Sequence, residues 1–370
     1  MCFKKIIFLS VFLGVIIELP AQELVDKKAT KRTRYLYKNM YKMAYDSAVM
    51  FGHQDDMANG IGWNALKGES DVKRVTGEYP SVFGWDLGGI EQDSVSNLDK
   101  VKFSNIRKYI IEAYKMGAVS TLSWHLRNPV SGGSAWDTIS AVSQILPNGI
   151  QHDKYIKWLD KVGDFALSLK TGFWGKKIPI IFRPYHEHTG TWFWWGNTHC
   201  TPDEYKALWH MTVDFFEKKG VHNFIYAYSP DRFLSKEHYM ECYPGDDYVD
   251  IMGLDLYQFE PQNPETHHIF IEKASSLLKM VSELGQEHKK FIALTETGFE
   301  GIPYDKWWTD VLWEAVKDAP ISYILCWRNG NDKHHFAPYP NHVSAVNFVQ
   351  FSQQQRVYFS KKVKAKNLYK

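Results

Sequence analysis

Hydrophobic residues recur along this chain in two alternating rhythms. Short apolar runs of strand length occupy 48–54, 82–86, 119–125, 178–186, 224–228, 250–257, 291–296 and 322–327. Between them, apolar positions fall three and four apart, the spacing of a one-sided helix. Tyr155, Trp158, Leu159, Val162, Phe165, Ala166 and Leu169 make one such face, and Tyr205, Leu208, Trp209, Thr212, Val213 and Phe216 another. The second opens with Thr201-Pro202-Asp203-Glu204, a capping box with proline at the first helical position. Further helices are expected over 275–288 and 304–317. Strand alternating with helix predicts an α/β fold with a parallel sheet, and eight repeats predict a single (β/α)8 TIM barrel. A doubly wound nucleotide fold would carry a GxGxxG turn after an early strand. Gly84-Trp85-Asp86-Leu87-Gly88-Gly89 is not one.

Polar groups gather at the C-terminal ends of these runs, where such barrels carry their sites. They include His53-Gln54-Asp55-Asp56, Trp85-Asp86, Trp124-His125, Asp255 with Tyr257, and Trp327-Arg328-Asn329. The densest stretch is 178–196, IPIIFRPYHEHTGTWFWWG. Its apolar run ends abruptly in Arg183, Pro184, Tyr185, His186 and Glu187, and Trp192, Phe193, Trp194 and Trp195 follow. A carboxylic acid beside wide rings suits glycoside hydrolysis: the acid protonates a leaving oxygen, and a ring receives the flat face of a sugar. A second carboxyl group, Glu296, closes the seventh run, across the mouth of an eight-stranded barrel from Glu187. Retaining glycosidases use two such groups about 5–5.5 Å apart, one as nucleophile and one as acid and then base. A cation or hydroxyl, here Arg183 or Tyr257, is needed to keep the nucleophile ionised. The Glu296 charge and the Trp192 wall are expected to push the pKa of Glu187 up. Asp255 and Tyr257 are two apart in a strand, so both point inward.

Composition narrows the picture. Aromatic residues make up 15% of 370, too many for a disordered chain, and the net charge is +2. No polyanionic partner is implied, and the basic tail 361–366 is read as a solvated terminus rather than a nucleic-acid contact. Lys4, Lys5 and the apolar 6–17 resemble a signal peptide ending at Ala21, too short to span a bilayer. Residues 1–21 are therefore expected to be a leader and 22–370 one catalytic domain, periplasmic or secreted. The leader's Cys2 precedes its apolar core, so no membrane anchor is expected. Cys200, Cys242 and Cys326 are too few for a disulfide framework, and a Cys200–Cys242 bridge stays open. His186-Glu187 opens like a zinc protease helix, but position 190 is glycine, and no GxSxG serine elbow is present. No metal and no cofactor are expected.

Arg183-Pro184-Tyr185-His186-Glu187 with Trp192-Phe193-Trp194-Trp195-Gly196 resembles glycoside hydrolase family 26, the β-mannanase family. Phe51-Gly52-His53-Gln54, Trp124-His125 and Thr295-Glu296-Thr297-Gly298 are similar to further motifs of that family. The resemblance spans nearly the whole chain after the leader. It implies a retaining β-mannanase acting on β-1,4 linkages of mannan, glucomannan, galactomannan or manno-oligosaccharides, and a monomer is expected. Glu187 is then the acid/base and Glu296 the nucleophile. His186 hydrogen-bonds in the cleft, Tyr257 orients the nucleophile, and His125, Trp192 and Trp327 contact sugar. His342, after the eighth run, is expected to reach the substrate. Trp136 and Trp194 receive no role. A β-glucanase or xylanase of the same family is one alternative, and a sugar-binding barrel without catalysis is the other.

Overall fold

The computed structural model describes residues 23–172, 175–259 and 264–370. The expected leader lies outside the described residues. Eight parallel strands close into a barrel: β1 Val49–Gln54, β2 Val82–Asp86, β3 Val119–Ser123, β4 Ile180–Arg183, β5 Phe224–Tyr228, β6 Ile251–Gln258, β7 Phe291–Phe299 and β8 Ile321–Cys326. Each pairs with the next, and β8 pairs back to β1 through Met50↔Tyr323 to His53↔Cys326. All eight expected strands are present, with β4 three residues shorter at its end than the apolar run because the chain turns at Pro184. The (β/α)8 expectation holds.

The helices follow the apolar spacing. α1 is Lys31–Tyr45, α2 Phe103–Lys115, α3 His152–Ser168 and α4 Pro202–Lys219. In α4 the Thr201 hydroxyl accepts from Glu204 N while Glu204 reaches back to Thr201 N, so the capping box forms as read. The expected helix at 304–317 departs from the reading: Trp308–Trp313 is a π-helical turn that runs into Glu314–Val316. Thr309 N donates to the Asn347 side chain at 3.1 Å instead of a helical carbonyl, which widens the turn.

Two apolar layers hold the barrel. The larger lies between the strands' outer faces and the surrounding helices. The smaller fills the N-terminal mouth, where Met50, Val82, Val119, Ile181, Ile225 and Ile251 point inward. α1 lies against this layer through the buried face Leu36, Tyr37, Met40 and Met43. The bottom of the barrel is therefore plugged, and the polar strand ends open only at the other mouth.

The register carries one irregularity with large effect. Leu254 pairs with Leu294, but Asp255 pairs with Glu296, and β8 shows the matching shift from Ile324↔Leu294 to Cys326↔Thr297. β7 thus holds one extra residue at Thr295–Glu296, a bulge. Phe291 and Ala293 face the barrel interior. Strict alternation would turn Glu296 outward, and the bulge turns it in.

Met40 is fully buried in the plug, on the side away from the polar mouth. Met40→Ala is expected to lower the unfolding free energy by about 2–5 kcal/mol through lost burial and a residual cavity. Urea denaturation measures this, and the geometry of the polar mouth, read from near-UV circular dichroism of its tryptophans, should be retained.

Candidate active site

β4 delivers Arg183, and the chain then turns sharply. Tyr185 has φ 49° and Glu187 φ 54°, left-handed values that cost non-glycine residues strain. The turn is over-determined by its neighbours. Glu187 N donates to Ser229 O at 2.8 Å, Tyr205 OH to Tyr185 O at 2.9 Å, and Trp195 Nε1 to His186 O at 2.9 Å. Beneath it the Tyr185 hydroxyl meets those of Tyr155 and Thr212. Trp194 and Trp195 are fully buried, so half of the ring cluster props the turn. Gly190 is required here, since a Cβ would stand 2.2 Å from the Trp192 ring. That packing also explains why the position of a second zinc-binding histidine is glycine.

The turn places Glu187 half-buried at one side of a cleft of about 530 Å3. Trp192 Nε1 donates to Glu187 Oε2 at 2.8 Å. Burial pushes the Glu187 carboxyl well above the usual carboxylate range, and the charges of Glu296, Asp255 and Asp231 add to this, with the Trp192 hydrogen bond opposing. Glu296 lies in the same cleft, 5% exposed. Arg183 Nη2 donates to its Oε2, and Tyr257 OH to its Oε1 at 2.7 Å. Burial first, and then the Glu296 charge, keeps the Tyr257 hydroxyl protonated, so it is a donor. Arg183 uses its other arm on Asp255 Oδ2 at 2.5 Å. Asp255 is further held by Thr295 Oγ1 at 2.7 Å and Ser229 Oγ at 3.2 Å. Burial opposes the Arg183 charge, but the two carboxylates outweigh it, and its pKa stays above the ordinary value.

His125 lines the cleft between Trp136 and Trp327, at ring-centroid distances of 5.3 and 5.9 Å. Its Nδ1–H donates to Asp86 Oδ2 at 2.7 Å. Burial opposes its charge, yet Asp86 outweighs burial and raises its pKa. His186 stands behind it, Nε2 to Nε2 at 3.1 Å, and burial with the Arg183 charge holds His186 neutral.

The structure brings Glu187, Glu296, His125, Trp192, Tyr257, Trp327 and Asp255 to one cleft. Three expected substrate contacts do not reach its wall. Arg183 is 1% exposed and lies beneath Glu296, and His186 is 1% exposed and lies behind His125. His342 is turned away by its bonds with His335, Ser344 Oγ and Gly301 O. Conversely Trp136, half exposed, forms part of the wall, as do Asp231, Arg232 and Phe336. Asp86 was visible as a strand-end acid, but its bond to His125 spans two strands and has no local signal. Cys200 and Cys242 are free thiols lining one small crevice, and burial pushes each up to about 12. Among the described residues, no three His, Cys, Asp or Glu are gathered so as to hold a metal ion. None of the described helices is long and apolar enough to cross a membrane.

The chain is similar to known proteins in sequence and in fold. The profile described as Glycosyl hydrolase family 26 matches residues 25–346. A mannan endo-1,4-beta-mannosidase of Bifidobacterium adolescentis is 37% identical over 283 residues, 75% of this chain and 28% of that protein. The chain thus spans well under half the length of that relative. A GH26 beta-mannanase from Bacteroides ovatus is 47% identical, with a TM-score of 0.87 over 90% of this chain and 96% of that one. The catalytic domain of a Bacillus sp. JAMB-750 GH26 endo-beta-1,4-mannanase is 33% identical, with a TM-score of 0.86 over 94% and 96%.

Removing the buried cation while leaving its two acids should be costly. Arg183→Met is expected to lower the unfolding free energy by about 3–5 kcal/mol near neutral pH. Burial pushes the Asp255 carboxyl up to about 8, with the Arg183 charge opposing and the Glu296 charge adding, so loss of the cation raises it further. Both folded values lie above the unfolded one, so the Asp255 part of the deficit appears as pH rises through about 8 and is absent in acid. Denaturant titrations at about pH 9 and about pH 5 measure this, and an equal deficit at the two values would show that the cation is not compensating charge on Asp255.

Proposed function

The chain belongs to glycosyl hydrolase family 26, and from that premise we propose that it is a retaining β-mannanase. It hydrolyses β-1,4-mannosidic bonds in mannan, glucomannan or galactomannan, with Glu296 as nucleophile and Glu187 as acid and then base. One observation carries the assignment: the two cleft carboxyls have opposite surroundings. Glu296 receives a guanidinium and a phenol, donors matched to a carboxylate that only accepts. Glu187 receives a single N–H and sits among negative charges that favour its protonated form.

The sequence of events follows from that difference. Glu187 gives its proton to the glycosidic oxygen as the bond to the anomeric carbon breaks. A Glu296 oxygen attacks the same carbon, forming a glycosyl ester, and the severed sugar leaves as the alcohol. Esterification removes the Glu296 charge, and with it one cause of the raised Glu187 pKa. Glu187, now a carboxylate, takes a proton from water, whose oxygen attacks the anomeric carbon and releases Glu296. Trp327 and Trp136 supply flat apolar wall beside the reacting sugar, and the His125 ring, held by Asp86 and His186, completes that wall. The reading of residues 1–21 as a leader makes the enzyme an exported one, consistent with a polymeric substrate that does not enter cells.

A dinitrophenyl mannoside, whose leaving group needs no proton, separates the two acids. Glu187→Ala should release a burst of dinitrophenol and then stall, because no base activates water. Azide should restore turnover and yield a β-azide. Glu296→Ala should give no burst, since no ester forms. A burst from Glu296→Ala alone would reverse the roles.

The Trp192 hydrogen bond lowers the Glu187 pKa, so its removal raises it further. For Trp192→Phe the alkaline limb of kcat on mannan should move to higher pH, by a few tenths to about one unit. An unmoved limb would mean that Glu187 does not set it.

A further inference from the structure

A second large cavity lies at the plugged mouth, opposite the cleft. It has a volume of about 710 Å3 and is walled by Lys31, Arg32, Tyr114, Lys176, Lys177 and Lys370, together with two further tyrosines. Its place in the fold follows from its neighbours. Tyr114 ends α2 just before β3, Lys177 precedes β4, and the Tyr369 hydroxyl donates to Ala118 O, next to the first residue of β3, at 2.6 Å. Lys31 and Arg32 open α1, the helix that closes this mouth.

Five basic side chains converge here from three separate parts of the chain, and no carboxylate side chain is among the described residues of the wall. Arg32 lies 5.3 Å over the Tyr114 ring, and its Nη1 is buried with no hydrogen-bond partner among the described residues. Lys177 donates to Leu167 O, and burial with the Lys170 charge lowers its pKa. The main-chain oxygen of Lys370 accepts from Asn39 Nδ2. Concentrating cations in a concave, partly desolvated site is unfavourable unless an anion enters it. The net charge of +2 makes the concentration a local feature rather than a property of the whole surface. A guanidinium fixed over a ring, with a donor unused, is suited to a planar approach by two oxygens. Lysines from the other two segments border the same pocket, and cations on several sides suit an acceptor with oxygens in several directions. A tetrahedral phosphate has both the charge and the oxygens, whereas a carboxylate has one charge and oxygens in one plane.

We propose that this pocket is a binding site for a phosphate group. The phosphate is either free or carried on a lipid headgroup. In the second case the cleft, at the other end of the barrel, faces away from the membrane and toward polymer in solution. The site is independent of the chemistry assigned to Glu187 and Glu296.

The test uses the full described chain. Inorganic phosphate is titrated calorimetrically against chloride at constant ionic strength, and sedimentation is measured with phosphatidylcholine vesicles with and without phosphatidylglycerol. Arg32→Gln/Lys176→Gln is compared with the parent, and should bind about tenfold more weakly or worse. Lys176 is exposed, so Lys176→Gln alone provides a variant that folds, with an intermediate loss. Saturable phosphate binding lost in the double variant establishes a site for free phosphate. Binding only to vesicles containing phosphatidylglycerol, lost in the same way, establishes the headgroup as the source. Binding to neither probe, or equal binding by parent and variants, overturns the proposal. Cleavage of mannan by the variants should stay within about twofold of the parent, since neither residue touches the cleft.

Discussion

A single buried guanidinium organises the polar end of this barrel. Arg183, at the last position of β4, donates with one arm to Glu296 on β7 and with the other to Asp255 on β6. Burial pushes the Asp255 carboxyl up to about 8, with the Arg183 charge opposing and the Glu296 charge adding, so near neutral pH the cation does not face two full negative charges. Hydroxyls complete the network: Tyr257 on Glu296, and Thr295 and Ser229 on Asp255. Such an arrangement is poor as a stability device, since apolar residues of the same volume would fill the space without desolvating charge. Its value is positional. It ties the end of β4 to those of the adjacent pair β6 and β7, across the intervening β5, and aims one carboxylate at the cleft, with few degrees of freedom left to it.

The acid on the other side is held by opposite means. Among the described residues no cation pairs with Glu187, and its place is set by backbone strain and aromatic packing. The left-handed Tyr185 and Glu187 are kept by bonds from Trp195 and Tyr205 to the turn's own carbonyls. One carboxyl is thus fixed by charge and the other by shape, and the two environments push their protonation in different directions. His125 adds a third element, a ring held by Asp86 in the cleft wall, where burial disfavours its charge and Asp86 outweighs burial. The aromatic residues are accordingly of two kinds. Trp194 and Trp195 are structural, whereas Trp136, Trp192 and Trp327 border the cleft.

The plugged mouth makes this division of labour possible. With α1 and the inward apolar layer filling one end, the polar side chains of all strands are left at the other. Apolar packing is concentrated at one end of the barrel, and backbone strain and buried charge at the other. The basic pocket interrupts that apolar end, at its rim and outside the plug.

Much of this was legible in the chain itself. Apolar runs and helical spacing report burial directly, because a strand or helix face is apolar wherever it packs, and so the eight strands, the α4 cap and the barrel could be read. That the two glutamates share one mouth could be read too, since they stand at strand ends amid rings. Other features were decided only by tertiary structure. Arg183 and His186 carry the right groups, but burial put them behind the wall rather than in it. His342 follows the last strand, yet a local network with His335 and Ser344 holds it elsewhere. Trp136 looks like any loop tryptophan until the fold brings it beside His125. The bulge at Thr295 is the clearest case. Strand periodicity alone would have sent Glu296 outward, and only pairing with β6 and β8 shows the extra residue that turns it inward. Periodicity records which face of a segment is buried, but a register shift depends on the neighbouring strand, which no local pattern encodes.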